Sequence, residues 1–117
     1  MKTRLSLVIP IYNASNFINE TMRSISQWFE GLEYTVEVIL VNDGSSDNSK
    51  VEIENYIKNF DQNLTLLSYD KNRGKGYAVK KGMIMAKGEF KIFTDADIPY
   101  GFEIIDKILH YLDFKEF

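Results

Sequence analysis

Two kinds of apolar segment alternate along this chain, and their alternation constrains the fold more than any other feature. Short runs rich in β-branched and aromatic residues have the length of buried strands, and they are Leu5–Ile11, Val36–Val41, Leu64–Ser68 and Phe90–Thr94. After each run, apolar residues recur at spacings of three and four, which indicates helices. The order β-α-β-α-β-α-β-α predicts an α/β fold with an open, mostly parallel sheet and helices on both faces.

The chain has 117 residues, which is enough for one domain. No linker, repeat or change of composition divides it, so residues 1–117 are predicted to form a single domain. Gly88 follows the third helical stripe at a position typical of a helix C-cap. The sequence ends one predicted helix after the fourth strand, and we expect it to be truncated at its C-terminal end.

Composition excludes several classes of function. The chain contains no cysteine, which excludes disulfides and thiolate sites, and a single histidine, His110, which argues against a zinc centre. A net charge of −3 without a contiguous block of Lys or Arg argues against a nucleic-acid partner. No apolar run approaches the about 18 residues that a membrane span needs. We therefore expect a cytoplasmic chain.

Polar residues concentrate where the predicted strands end, which is where open α/β sheets bind ligands. The second strand is followed by Asn42-Asp43-Gly44-Ser45-Ser46-Asp47. Asp43 at this position can accept a hydrogen bond from a ribose hydroxyl or a base N–H. The alternative is that this segment is only favourable turn chemistry.

A pair of carboxylates separated by one residue, Asp95-Ala96-Asp97, follows the fourth strand. Hard divalent cations such as Mg²⁺ or Mn²⁺ bind carboxylate, water and phosphate oxygens, so one carboxylate can hold a metal while the other contacts a ribose or a metal-bound water. The alternative is a solvated acidic turn before the next helix.

The two remaining strand ends carry weaker signals. The loop Tyr69–Gly76 combines glycines with cations before a helix, which suits an anion or a nucleotide, although it lacks the spacing of the common phosphate-binding loops. The first strand ends with Pro10 and Tyr12, and Tyr12 is interpreted either as a packing residue or as a wall of a nucleotide pocket.

Together these segments resemble the family 2 glycosyltransferases with the GT-A fold, whose nucleotide-binding half is Rossmann-like. The resemblance extends from residue 5 to residue 100, nearly the whole chain. The segment Asn72–Gly76 is most similar to enzymes that glycosylate dolichyl or polyprenyl phosphate. The matching elements are Val8-Ile9-Pro10-Ile11-Tyr12-Asn13, Val41–Asp47, Asn72-Arg73-Gly74-Lys75-Gly76 and Thr94-Asp95-Ala96-Asp97.

The resemblance implies a role for each matched position. The donor would be a UDP- or GDP-linked sugar, and the cofactor would be Mg²⁺ or Mn²⁺ on Asp97. Transfer would be inverting, with a lipid phosphate or a saccharide as acceptor and with the catalytic base beyond residue 117. The implied nucleotide-sugar-binding residues are Pro10, Tyr12, Asp43, Gly74, Lys75 and Asp95.

Three further expectations concern the setting of the chain. The 117 residues would bind the donor without transferring the sugar, and the full-length protein would act at the cytoplasmic face of a membrane. Apolar surface left uncovered would favour a homodimer.

Two other classes of protein remain open. A nucleotidyltransferase would use a similar sheet and metal site, but it is disfavoured because the segment after the first strand is not a G-x-G-T-R-like loop. A non-catalytic nucleotide-binding or interaction module is the second alternative, and failure to bind UDP and GDP would favour it.

Overall fold

The structure, a computed structural model, describes residues 2–98 and 101–115. Each predicted strand is present, with ends that differ from the prediction by at most two residues. The elements are β1 Leu5–Ile11, α1 Ile18–Glu30, β2 Val36–Asp43, α2 Ser49–Lys58, β3 Leu64–Tyr69, α3 Lys75–Met85, β4 Phe90–Phe93 and α4 Glu103–Lys115.

The four strands form one parallel sheet in the order β3-β2-β1-β4. The chain runs outward from β1 to β3 and then returns to place β4 on the other side of β1. Such a reversal of strand order opens a crevice at the carboxyl ends of the strands on either side of it. On that side β1 extends past β4, because the pairing of these two strands ends at Val8 and Phe93.

Helices cover both faces of the sheet, which confirms the predicted fold class. On one face α3 is the only helix among the described residues, and it packs against Val8, Ile39 and Val41. A side chain at Gly82 would lie 2.3 Å from Val8, so glycine lets α3 approach the sheet closely. The opposite face carries α1, α2 and α4, and its core includes Leu5, Leu7, Ile9, Ile18, Met22, Ile25, Val38, Leu40, Ile53, Ile105 and Leu109.

The predicted role of Gly88 as a helix C-cap is wrong. α3 ends at Met85, and Ala86 takes the C-cap position with an extended backbone. Gly88 instead lies against β1, where its N–H donates to Ser6 Oγ at 2.8 Å. A Cβ at this residue would lie 2.5 Å from the Ser6 nitrogen, so the glycine is required by close packing.

None of the helices in the two described ranges has the length and hydropathy of a membrane span.

Candidate functional site

A cleft of about 290 Å³ opens at the carboxyl ends of β1 and β2, between the loops that follow β3 and β4. All six residues predicted to bind the nucleotide sugar line it. Two residues that the sequence did not single out as ligands, Ile11 and Asn72, complete the lining. The residues of the cleft are Pro10, Ile11, Tyr12, Asp43, Asn72, Gly74, Lys75 and Asp95.

Asp43 is the most constrained residue of the cleft, and its side chain is almost fully buried. It is the last residue of β2 rather than part of the following turn, because its register opposite Tyr69 extends the β2–β3 pairing. Oδ1 accepts hydrogen bonds from Tyr69 Oη at 2.7 Å and from the Arg73 N–H at 2.9 Å. Oδ2 accepts from Asn72 Nδ2 at 2.8 Å and from the Gly74 N–H at 3.0 Å.

These four donors fill the acceptor capacity of an ionised carboxylate. Asp43 therefore holds the Asn72–Gly74 loop against the end of β2. A direct bond from Asp43 to a nucleotide base would require one of these donors to move. Burial, the hydrogen bond to Asp43 and the charge of Asp43 all raise the pKa of Tyr69, which keeps its hydroxyl protonated as a donor.

Glycine is required at two points beside this network. Gly74 adopts φ 98°, a backbone conformation that residues with a Cβ avoid, and its N–H donates to Asp43. Gly44 adopts φ 64°, and a Cβ there would lie 2.3 Å from the Asn72 nitrogen. The turn after β2 thus packs directly on the loop after β3.

The loops after β1 and β2 are joined by reciprocal hydrogen bonds. The Asn13 N–H donates to Ser45 Oγ at 2.9 Å, and Asn13 Oδ1 accepts from the Ser46 N–H at 2.8 Å. The Ala14 N–H donates to the buried Ser49 Oγ at 2.8 Å. These bonds fix the segment that begins at Tyr12, whose exposed ring forms one wall of the cleft.

Asp47 extends the same connection. Its carboxylate accepts hydrogen bonds from the Ser15 N–H at 3.1 Å and the Ser49 N–H at 3.0 Å. Desolvation acts to raise the pKa of Asp47, but the bonds from Ser49 and Ser15 prevail and lower it to about 2. The Ser-rich turn is therefore structural as well as adjacent to the cleft.

An ion pair crosses the mouth of the cleft between Lys75 Nζ and the Asp95 carboxylate. Both side chains are more than half exposed, at 56% and 54%. Exposed ion pairs contribute about 0–1 kcal/mol, so a ligand can separate this one at little cost. A phosphate could then bind Lys75 while a ribose hydroxyl binds Asp95.

Asp97, the predicted metal ligand, lies outside this cleft. It lines a different cavity of about 300 Å³ together with Glu20. Its carboxylate is exposed and has no hydrogen-bond or ion-pair partner among the described residues, which leaves its oxygens available to a hard cation. No group of three or more potential metal-ligating side chains forms within the described ranges, so substrate oxygens and water would have to complete a metal site.

A larger groove, about 600 Å³, lies between α1 and α2, away from the strand ends. Its walls include Asn55, Tyr56 and Asn59 and none of the motif residues. We place the candidate site in the smaller cleft because the Asp43, Lys75 and Asp95 side chains converge there at the reversal of strand order.

Two residues to which the sequence assigns no individual role shape the cleft: Asn72 lines it, and Tyr69 donates a hydrogen bond to Asp43 beside it. In the sequence, Tyr69 only begins a loop and Asn72 only belongs to a motif. Tyr69 could have been identified because it ends its strand, and the neighbouring strand ends in an Asp whose carboxylate can accept a hydrogen bond from the tyrosine hydroxyl. Pairing of the two strands brings these ends together.

Comparison with known sequence families identifies the family of this chain. The sequence model described as "Glycosyl transferase family 2" matches residues 6–117. The chain belongs to glycosyl transferase family 2. This result confirms the family inferred from the motifs, and the cleft is the part of this glycosyltransferase domain that those motifs form.

Curated relatives of this family 2 domain carry names that specify polyprenyl-phosphate chemistry. A dolichyl-phosphate beta-glucosyltransferase of Trichomonas vaginalis is 37% identical over 98 residues, covering 80% of this chain and 30% of the relative. The enzyme of the same name from Saccharomyces cerevisiae is 33% identical over 111 residues, covering 90% of this chain and 33% of the relative. The chain thus spans about a third of the length of these relatives.

Solved GT-A glycosyltransferases share its fold. The mannosyltransferase PcManGT from Pyrobaculum calidifontis, in complex with GDP-Man and Mn²⁺, aligns with a TM-score of 0.77 and 25% identity. That match covers 93% of this chain and 32% of PcManGT.

Proposed function

We propose that this family 2 domain binds the donor for an inverting glycosyltransferase that transfers a sugar from a nucleoside diphosphate to a polyprenyl phosphate. The observation that carries the proposal is the convergence of Tyr12, Asp43, Lys75 and Asp95 in one cleft at the strand ends. None of these four residues lines the groove between α1 and α2.

The cleft offers a complementary group to each part of the donor nucleotide. Tyr12 presents an exposed ring on which a base can stack. Asp95 can accept a hydrogen bond from a ribose hydroxyl, and Lys75 can neutralise a diphosphate oxygen. Asp43 orders the loop that carries Gly74 and Lys75, so it acts on the nucleotide at least through that loop.

A divalent cation fits the chemistry of Asp97, which would hold it through its unpaired carboxylate. When bound, Mg²⁺ or Mn²⁺ would offset the charge that develops on the departing diphosphate. Support comes from PcManGT, whose structure contains GDP-Man and Mn²⁺.

The proposed acceptor is a polyprenyl phosphate because the similar proteins include dolichyl-phosphate glucosyltransferases. In the reaction, an acceptor phosphate oxygen forms a bond to the anomeric carbon, and the bond from that carbon to the diphosphate breaks. The nucleoside diphosphate leaves. A phosphate oxygen is already anionic near neutral pH, so this acceptor needs little help from a base, whereas a saccharide hydroxyl would need one.

Calorimetry with UDP and GDP, in the presence and absence of Mn²⁺, tests the donor site. We expect one of the nucleotides to bind more tightly with Mn²⁺ and the Asp97→Asn variant to lose this gain, because the amide removes the charge that a hard cation requires. Asp61→Asn, in the exposed loop beyond α2, is the matched control and should behave as wild type. Unaltered Mn²⁺ dependence in Asp97→Asn would exclude it as the ligand, and absence of binding to both nucleotides would favour the non-catalytic module.

We further propose that the 117 residues bind the donor without transferring the sugar. Support comes from the relatives, about a third of whose length the chain matches. Turnover of a nucleotide sugar onto an added polyprenyl phosphate by this chain alone would contradict the proposal.

A homodimer and a location at the cytoplasmic face of a membrane also remain proposals. The support for association is β4, which pairs only with β1 among the described strands and exposes about half of Phe93. Unpaired apolar edge strands promote self-association. A monodisperse monomer in light scattering would contradict the dimer.

A further inference from the structure

Basic residues are unevenly distributed in this acidic chain. The segment from residue 71 to residue 87 contains six Lys and Arg and no Asp or Glu. The rest of the sequence carries eight Lys and Arg against all 17 Asp and Glu. The six positive charges are not contiguous, but they lie on α3 and its two flanking loops, and α3 covers one face of the sheet.

The side of α3 that points away from the sheet combines these cations with exposed apolar groups. Ala78 and Gly82 are buried against the sheet, and the opposite side of the helix carries Tyr77 and Ile84. Ile84 is 72% exposed, more than any other large apolar residue within residues 2–98 and 101–112. Lys80 follows Tyr77 by three residues and Lys81 precedes Ile84 by three residues, so both lysines lie on the same side of the helix. The "α3 outer face" is defined by Tyr77, Lys80, Lys81 and Ile84.

The tyrosine on this face is flanked by cations. The Arg73 guanidinium and the Lys81 ammonium each lie 5.4 Å from the centre of the Tyr77 ring. Tyr69 packs against the same ring edge-on, with the ring centres 5.3 Å apart. The aromatic group is therefore fixed at the surface with positive charge beside it.

We propose that the α3 outer face is a contact surface for an anionic lipid bilayer. A bilayer satisfies both properties of the face, because anionic headgroups attract the lysines while the apolar side chains enter the boundary between headgroups and acyl chains. Tyrosine suits that boundary because its ring is apolar and its hydroxyl is polar. A nucleic acid would use the cations but would leave Ile84 without a role.

The α3 outer face adjoins the donor cleft, since α3 begins at Lys75 in the cleft lining. Contact with a bilayer would bring the mouth of the cleft close to the lipid headgroups. This consequence rests on the proposed function, because a polyprenyl-phosphate acceptor is held in the membrane. The bilayer contact itself rests only on the charge and exposure of the face.

Co-sedimentation of the chain with vesicles tests the proposal. We expect binding to vesicles of phosphatidylcholine mixed with phosphatidylglycerol, weaker binding to phosphatidylcholine alone, and a decrease with added salt. Neutralising both lysines in Lys80→Gln/Lys81→Gln should lower the partition coefficient about thirtyfold, since each lysine near an anionic surface is worth about fivefold. Ile84→Ser should lower it about tenfold.

The matched control is Lys50→Gln/Lys58→Gln, which removes two exposed lysines from α2 on the opposite face of the sheet. This control should bind vesicles as wild type does. Equal losses in the two double variants, or equal binding to both kinds of vesicle, would overturn the proposal. A dimer that Ile84→Ser dissociates would assign the face to a second copy, and binding of an oligonucleotide without vesicle binding would assign it to nucleic acid; either result would also overturn the proposal.

Nucleotide calorimetry on Lys80→Gln/Lys81→Gln separates this proposal from the function. UDP or GDP binding equal to wild type, together with loss of vesicle binding, supports a separate lipid surface. Nucleotide binding by wild type without any vesicle binding would refute the lipid surface and leave the donor site standing.

Discussion

Replacing Asp43 with alanine should both destabilise the domain and weaken nucleotide binding, with or without metal. The substitution removes the acceptor for four hydrogen bonds at once. Three of the four donors belong to the loop residues Asn72, Arg73 and Gly74, so that loop loses its attachment to β2. The cleft is lined by the same loop, and its shape depends on the attachment.

The expected loss of stability follows from the exposure of the donors. A buried donor left without a partner costs about 1–3 kcal/mol. Asn72 and Arg73 are exposed and Gly74 is half-buried, so water can satisfy most of the freed loop donors. Counting about one to two effectively unsatisfied groups at about 2 kcal/mol each gives about 2–4 kcal/mol for Asp43→Ala. Asp43→Asn keeps an oxygen for two of the donors, and it should cost about half as much.

Urea denaturation measures this loss, and calorimetry with UDP and GDP measures the effect on the cleft. Asp70→Asn is the matched control, because Asp70 is an exposed carboxylate two residues before Asn72 and should leave the unfolding free energy within about 0.5 kcal/mol of wild type. An Asp43→Ala protein with wild-type stability would refute the loop-anchoring role. Full nucleotide affinity in that variant would leave the Asn42–Asp47 segment with a structural role only.

Three further changes test other parts of the site. Gly44→Ala should lower the unfolding free energy by about 2 kcal/mol or more, because φ is positive and the new Cβ meets the Asn72 backbone; thermal unfolding would contradict this if the Tm were unchanged. Tyr69→Phe should cost about 1 kcal/mol in urea denaturation by removing one donor to Asp43, and an unchanged midpoint would argue against that bond. Asp47 has a folded-state pKa lowered to about 2 from an ordinary 3.8. Its contribution to stability is therefore complete above about pH 5 and is lost as the pH falls from about 5 to about 2. Asp47→Asn should lose less stability than wild type over this pH range in an acid titration, and parallel curves would contradict the assignment.

The fold could be predicted from the sequence because the spacing of apolar residues distinguishes strands from helices. β-branched runs marked each strand, and the parallel sheet followed from their alternation with helical stripes. The strand ends were less accurate, since pairing between Asp43 and Tyr69 extends β2 by two residues beyond its apolar run. Gly88 shows the same limit. Its role depends on the approach of Ser6, which is 82 residues away in sequence, and not on the helix before it.

The location of the candidate site was also predictable, because parallel strands bring their carboxyl ends to one edge. The hydrogen bonds among the site residues were not. Asp43 was predicted to face a ligand, whereas its oxygens are occupied by donors from a loop about 30 residues later. The sequence predicts that Asp95 and Asp97 share one ligand through different contacts, and in the structure they line two different cavities. Such side-chain choices depend on distances between loops, which spacing in the sequence does not contain.

Mapping the nucleotide by NMR is the most direct test of the central claim that the cleft is the donor site. The labelled 117-residue chain would be titrated with UDP and with GDP in the presence of Mg²⁺, and the shifts of backbone amides would be followed. We predict saturable shifts centred on Tyr12, Gly74 and Lys75. Shifts centred instead on Asn55 and Asn59, in the groove between α1 and α2, would contradict the claim.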